Sequence, residues 1–393
     1  MPEEEASKSG LAQRSDGAKD FAGDVLRRLT ERKEGHARYR LVGEIDHGGQ
    51  GAILRVWDED LQRPLAMKTM LGRLSKTGDT PPAASRALAR FLEEAQVTGQ
   101  LDHPGVVPVH ELGLDAEGRV YFTMKLMRGE NLKAVYEKVA EGREGWTEAR
   151  ALGVLLKVCE AMSYAHAKGV IHRDLKPGNV MVGRYGEVHV MDWGLARVMG
   201  QEDRRDLRIS EQPAVSQVIT ERSKHADGSA DSPLVTMDGH VVGTPSYMPP
   251  EQALGKVDEI GPHSDVYALG AMLYHLLARH APYVKPGMKL SNYAIWYKAQ
   301  EGPPDPLHER SPRAPTELVA ICEKAMAHDW HERYPDMGAL AEDLRAYLEH
   351  RVVRAYRVGA WIELRKWIER NRALATASAA AAVALVAGFG VRG

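Results

Sequence analysis

The hydrophobic periodicity of the chain changes near Gly129, and that change restricts the fold more than any other feature of the sequence. Before it, apolar residues alternate as in half-buried strands: Tyr39, Leu41 and Ile45 in one run, residues 52–57 in a second and 64–70 in a third. Gly48-Gly49-Gln50-Gly51 breaks the first run from the second. Residues 71–85 hold Gly, Ser, Thr, Asp and a Pro-Pro pair and read as a loop. One helix follows at 87–101, with Leu88, Phe91, Leu92 and Ala95 on one face, and then extended runs at 105–111 and 120–125. After Gly129 the spacing is mainly helical, at 151–168, 265–278, 316–328 and 337–350, with a small hairpin at 180–182 and 188–191 around 184–186. Strands first and helices afterwards predict an α+β protein of two lobes, a small β-rich N-lobe (37–125) and a larger helical C-lobe (129–350). The 393 residues, 44% apolar and 27% charged, suffice for a proper core.

The flanks lack such a pattern. Residues 1–36 are charged and poor in large apolar side chains, so a disordered tail is expected, with a short helix at 21–29. Residues 199–240 are polar, rich in Ser, Thr, Asp and Arg, and read as a long flexible insertion. A net charge of −2 gives no reason to expect nucleic-acid binding. Cys159 and Cys322 each lie within apolar periodic stretches and suit buried thiols rather than a disulfide framework. Glu3, Glu4 and Glu5, with no apolar run after them, do not make a secretory signal, and the bulk of the chain is expected in a reducing, cytoplasmic compartment.

The most specific motif is His172-Arg173-Asp174-Leu175-Lys176-Pro177-Gly178-Asn179. Asp174 can accept the proton of an incoming hydroxyl, Lys176 can neutralise a migrating negative charge, and Asn179 offers a carbonyl oxygen to a hard cation such as Mg²⁺. A charged loop without chemistry would not need eight residues in this order.

These residues resemble the catalytic loop of the Hanks-type (eukaryotic-like) bacterial serine/threonine protein kinases, and the resemblance runs from about residue 39 to about residue 350. It implies Asp174 as catalytic base, Lys176 as γ-phosphate contact, Asn179 as a metal ligand, and serine or threonine as acceptor. Asp192-Trp193-Gly194 stands where the family has Asp-Phe-Gly, which makes Asp192 the other metal ligand and Trp193 a departure. The glycine-rich pattern aligns Gly48, Gly49, Gly51 and the covering apolar residues Ile45 and Ile53 with the nucleotide, with Asp46 in place of the first glycine. Ala66 and Lys68 match the third strand, Lys68 holding phosphates and pairing with Glu94, while Glu93 would face solvent. Met124, Lys125 and Met127 match the hinge, with Met124 as gatekeeper and the other two presenting backbone groups to adenine. Gly243-Thr244-Pro245-Ser246-Tyr247-Met248-Pro249-Pro250-Glu251 resembles the end of the activation segment. Thr244 would bond Asp174, Glu251 would pair with Arg333, and Asp265 would brace the catalytic-loop backbone. The resemblance implies ATP with Mg²⁺, or Mn²⁺ in its place, as cofactors, and protein substrates that include the chain itself. Asp46 and Trp193 are the features that would suit a pseudokinase instead, and no G-x-x-x-x-G-K-[ST] occurs to suggest a P-loop NTPase.

A separate feature closes the sequence. Residues 373–391 carry no charge over nineteen positions, about 28 Å as a helix, close to the ~30 Å core of a bilayer. Arg365, Lys366, Arg370 and Arg372 precede them within a basic juxtamembrane segment (351–372), with Trp361 and Trp367 as interfacial anchors. The expectation is a single-pass transmembrane helix that keeps the kinase domain cytoplasmic, in a chain that is tail-anchored or a piece of a longer receptor.

Overall fold

The computed structural model describes residues 38–48, 51–70, 82–199, 245–285, 287–288 and 290–356. Gly49, Thr244, the tail expected at 1–36, all but the first residue of the insertion expected at 199–240 and the apolar stretch 373–391 lie outside these residues. No helix among the described residues is long and apolar enough to cross a membrane. The chain divides into two compact units, one running to Gly99 and resuming at Val107–Met127, the other comprising Gln100–Val106 and the chain from Arg128 on.

The first unit is built on five strands, β1 (Tyr39–Gly48), β2 (Gly51–Asp58), β3 (Arg63–Thr69), β4 (Val109–Leu114) and β5 (Val120–Lys125). They pair antiparallel in the order β1-β2-β3-β5-β4. Val56, Leu65, Met67 and Tyr121 form a buried cluster on one face of the sheet, each contributing roughly 1.5–3 kcal/mol by leaving water. Gly51 has to be glycine, because a Cβ there would collide with the Thr69 carbonyl of the neighbouring strand. Helix α1 (Pro82–Gln100) begins five residues before the expected start, since proline at the first helical turn has no N–H to waste. Its Phe91 packs on Phe122 of β5, ring centroids 5.1 Å apart. The strand expected to start at 105 starts at Val109. Val106 lies outside β4, within the second unit, and makes an isolated parallel bridge there to Val190.

The second unit is mainly helical: α2 (Leu132–Glu141), α3 (Glu148–Ala167), α4 (Pro250–Ala253), α5 (Pro262–Ala278), α6 (Asn292–Glu301), α7 (Leu307–Arg310), α8 (Thr316–Ala325) and α9 (Met337–Leu348). Thr147 caps α3 by accepting from Arg150 N, and Leu152, Leu155, Val158 and Met162 sink into the core. Helix α5 is buried on nearly all sides, which is why its sequence is almost continuously apolar. The short strands are β6 (Gly129–Asn131), β7 (Val170–Ile171), β8 (Val180–Gly183), β9 (Val188–Val190) and β10 (Arg197–Val198). β8 and β9 form the expected hairpin, with Val180 opposite Val190, and β6 flanks it; β7 pairs with β10. Helix α8 stops at Ala325 and α9 at Leu348, each short of its expected end. Packing nevertheless continues past residue 350: Val353 is buried, and the buried carboxylate of Asp343 accepts from Arg354 N and Ala355 N, both at 2.9 Å, and from the Tyr334 hydroxyl.

Candidate active site

In the first unit, Lys68 occupies the middle of β3, in register with Ile53 on β2 and Phe122 on β5. Its Nζ donates to Glu94 Oε1 at 2.5 Å, the carboxylate being nearly buried on α1. Glu94 therefore makes the expected bond, while Glu93, expected at the surface, is half-buried. A pair this dry ties α1 to the sheet and holds an ammonium ready for an anion. Gly48 pairs with Gly51 across the β1–β2 turn, and Ile45 and Ile53 lie on the same two strands, Ile45 half exposed. Asp46 is exposed, its carboxylate turned onto the His47 N–H at 2.8 Å. Met124 is buried beside Ala66 on β3 and Val109 on β4. The Lys125 N–H is committed to Pro108 O, so its carbonyl is the group it can offer a base; Met127 follows, half-buried.

The second unit holds the other candidate residues. Asp174 Oδ2 accepts from Lys176 Nζ at 2.7 Å and from Asn179 Nδ2 at 3.1 Å. Asn179 Nδ2 also donates to the Asp174 carbonyl at 2.8 Å, which leaves its Oδ1 as the atom for a cation. Met191 N donates to Asn179 O at 2.8 Å, tying the residue before Asp192 to the catalytic loop. Asp192 is exposed and holds a left-handed φ of 58°, unusual for a residue with a Cβ. One carboxylate and one amide oxygen, with phosphates supplying further ligands, is a donor set that suits a hard divalent cation. Trp193 is fully buried, its ring centroid 4.7 Å from that of His172 and its Nε1 donating to Val190 O at 3.4 Å. The larger side chain thus finds both space and a partner. Thr244 lies outside the described residues.

The loop carrying Asp174 is held by a buried frame. His172 Nδ1 accepts from Asp174 N at 3.2 Å, so Nε2 carries the proton donated to Met191 O. Asp265 on α5 accepts from His172 N and Arg173 N, both at 2.9 Å, and from His166 Nε2 at 2.8 Å. Burial pushes the Asp265 pKa up, but the His166 bond and the neighbouring donors more than offset it and hold the carboxyl below its ordinary range. Glu251 takes a bidentate bond from Arg333, 2.8 Å at each oxygen, plus the Ser264 hydroxyl at 2.7 Å. Here too burial raises the pKa and the Arg333 bonds bring it below normal. The sequence reading named Asp265, Glu251 and Arg333 but passed over His166 and Gln252. His166 had a signal, a polar residue in the last turn of an apolar helix shortly before the motif; Gln252 had none beyond following Glu251.

Comparison with known proteins agrees with this arrangement. The model of the protein kinase domain family matches residues 39–344. The serine/threonine-protein kinase PknD of Protochlamydia amoebophila (strain UWE25) is 32% identical over 321 residues, covering 80% of this chain and 30% of the relative. The PknD of Chlamydia trachomatis serovar L2b (strain UCH-1/proctitis) is 34% identical over 322 residues, covering 79% and 32%. That of Chlamydia pneumoniae is 33% identical over 322 residues, covering 79% and 31%. The chain therefore spans about a third of the length of the curated relatives it matches. With the β-sheet unit, the helical unit and the catalytic-loop geometry in place, the chain belongs to the protein kinase family, as a Hanks-type bacterial serine/threonine protein kinase.

Proposed function

We propose that the protein transfers the γ-phosphoryl group of ATP to serine and threonine hydroxyls of proteins, itself included, with Mg²⁺ as the metal and Mn²⁺ as a substitute. The observation that carries this reading is the state of Asp174. One carboxylate oxygen, Oδ2, already accepts from Lys176 and Asn179, so Oδ1 is oriented to receive the hydroxyl proton. Lys176 sits where it can neutralise charge on the moving phosphoryl group, and Lys68, aimed by Glu94, would hold the other phosphates. Asn179 Oδ1 and Asp192 would hold the metal, which when bound neutralises the charge of the phosphate oxygens. The Met124–Met127 stretch would take adenine through backbone groups, and Gly48, Gly49 and Gly51 would let the strand backbone approach the phosphates. Thr244 would help seat the acceptor.

The same proposal places the kinase domain on the cytoplasmic face of a membrane, with 373–391 as a single-pass helix behind a basic segment, in membrane-linked signalling. What supports it is the uncharged length and the arginines and lysines before it. The segment between Asp192 and Glu251 carries the regulatory part of the proposal. Ser210, Ser216, Thr220, Ser223, Ser229, Ser232 and Thr236 alternate there with arginines and a lysine, and a phosphate of about −1.5 to −2 charge could order the segment by pairing with Arg173. Mass spectrometry after incubation with ATP and Mg²⁺ tests both parts. Phosphoserine or phosphothreonine within 210–236, foremost at Ser232 or Thr236, is expected. Phosphotyrosine alone would overturn the acceptor class, and an unphosphorylated window would remove the segment from regulation.

A further inference from the structure

Arg173, the residue before Asp174, is held by side chains from two directions. Its N–H donates to Asp265 Oδ1 on α5 at 2.9 Å, and its carbonyl accepts from Gln252 Nε2 on α4 at 3.0 Å. Between these bonds its φ is 68°, in the left-handed region that a residue with a Cβ adopts only where its surroundings impose it. The backbone that carries Asp174 thus sits in a disfavoured conformation kept by a two-sided clamp. Asp265 is fixed in the core. Gln252 is on a four-residue helix directly after residues 245–249, and Tyr247, Met248 and Pro249 line a hollow together with Arg173, Asp174 and Gln252 itself.

Gln252 is 4% exposed, and its Oε1 is buried with no hydrogen-bond partner among the described residues. Among the described residues the amide therefore makes one side-chain bond, the one to Arg173 O. A residue serving only to fill this space would be better as leucine or methionine, which leave no orphaned acceptor. What the amide supplies that they cannot is a donor aimed at the peptide next to Asp174.

We propose that Gln252 is a positioning residue for phosphoryl transfer: it couples the placement of the activation segment's C-terminal end to Asp174 by holding the Arg173 carbonyl. The inference rests on the kinase reading above, and the experiment separates the two. Gln252→Leu is compared with Gln300→Leu in the full chain. Gln300 on α6 also donates to α4, at Ala253 O and 2.7 Å, and so controls for a loosened helix. Amide hydrogen exchange over residues 172–179 is measured with kcat and the KM for ATP. Gln252→Leu should speed exchange at 172–175 by about tenfold, the worth of one buried hydrogen bond, lower kcat by a similar factor and leave the ATP KM nearly unchanged. Gln300→Leu should alter exchange at α4 without moving the loop or kcat. Gln252→Glu should resemble Gln252→Leu at pH 8 and recover toward pH 6, where a protonated carboxyl can donate to the same carbonyl. Unchanged loop exchange in Gln252→Leu, or the same effect from both leucine variants, overturns the proposal. A wild-type protein that transfers no phosphate would overturn the kinase reading, while the exchange arm would still decide the clamp.

Discussion

Arg333→Ala should destabilise the protein more than any exposed substitution and disturb the catalytic loop at a distance. All five donor positions of the Arg333 guanidinium are in use: Nε on Ala327 O at 2.8 Å, Nη1 on Glu251 and on His263 O at 3.1 Å, and Nη2 on Glu251 and on His328 O at 3.3 Å. Its side chain is wholly buried and that of Glu251 is 3% exposed. Removing the arginine leaves a buried carboxylate with the Ser264 hydroxyl bonded to it and His263 Nε2 3.9 Å away, a change that costs about 3–5 kcal/mol. At roughly 2–4 °C per kcal/mol, Tm should fall by about 6–20 °C. Because Glu251 precedes Gln252, the loss should also reach Arg173 and Asp174. Arg333→Lys keeps the charge but not the fork, and should fall between wild type and alanine. Glu251→Leu with Arg333→Met removes both charges and should regain much of the loss. Calorimetric melts of these variants test the reasoning. An Arg333→Ala protein within about 1 kcal/mol of wild type would refute it.

Lys68→Met should abolish autophosphorylation and also lower Tm, because it strands the nearly buried Glu94 carboxylate; autophosphorylation at the wild-type rate would contradict its assigned role. A chain ending at residue 350 should be less stable than one ending at 356, because it discards Val353 and two of the three donors to Asp343, costing about 2–4 kcal/mol in urea unfolding. Glu251 and Asp265 have folded pKa values below their unfolded ones, so their stabilisation is complete above about pH 4–5 and disappears as pH falls through the folded values. Glu251→Gln should therefore flatten the acid limb of stability against pH, and an unchanged limb would refute the assignment. Membrane fractionation of the full chain should recover it in the pellet after a salt wash; recovery in the supernatant would refute the spanning helix.

Much of the site was legible because phosphoryl-transfer chemistry needs particular side chains at fixed spacing. Asp174, Lys176 and Asn179 stand in one specific motif, Lys68 and Glu94 were marked by the resemblance rather than by spacing, and in the structure Lys68 meets Glu94 and Asp174 meets both its neighbours. The five strands of the first unit and the longer helices α1, α3, α5, α8 and α9 were also readable from period, whereas α2 and α6 were not. Less readable were positions whose role depends on tertiary geometry. The two bonds that hold Arg173 come from 79 and 92 residues away, so no local pattern announces them. Helix α2 was not singled out because its signals are its caps, Asn131 accepting from Ala134 N and Gly142 at φ 65°, rather than a long apolar stripe. The packing past residue 350 left no signal for a similar reason: Arg354 and Ala355 are tied through backbone N–H groups, which leave no trace in side-chain pattern.

Phosphate transfer by wild type and Asp174→Asn, measured side by side with nucleotide binding, tests the kinase assignment most directly. Wild type should transfer phosphate from ATP to serine or threonine with Mg²⁺. Asp174→Asn should bind nucleotide nearly as well and transfer slower by a factor on the order of 10²–10⁴, because the substituted group no longer accepts the hydroxyl proton. Equal rates in the two proteins, or no transfer by wild type with either Mg²⁺ or Mn²⁺, would contradict it.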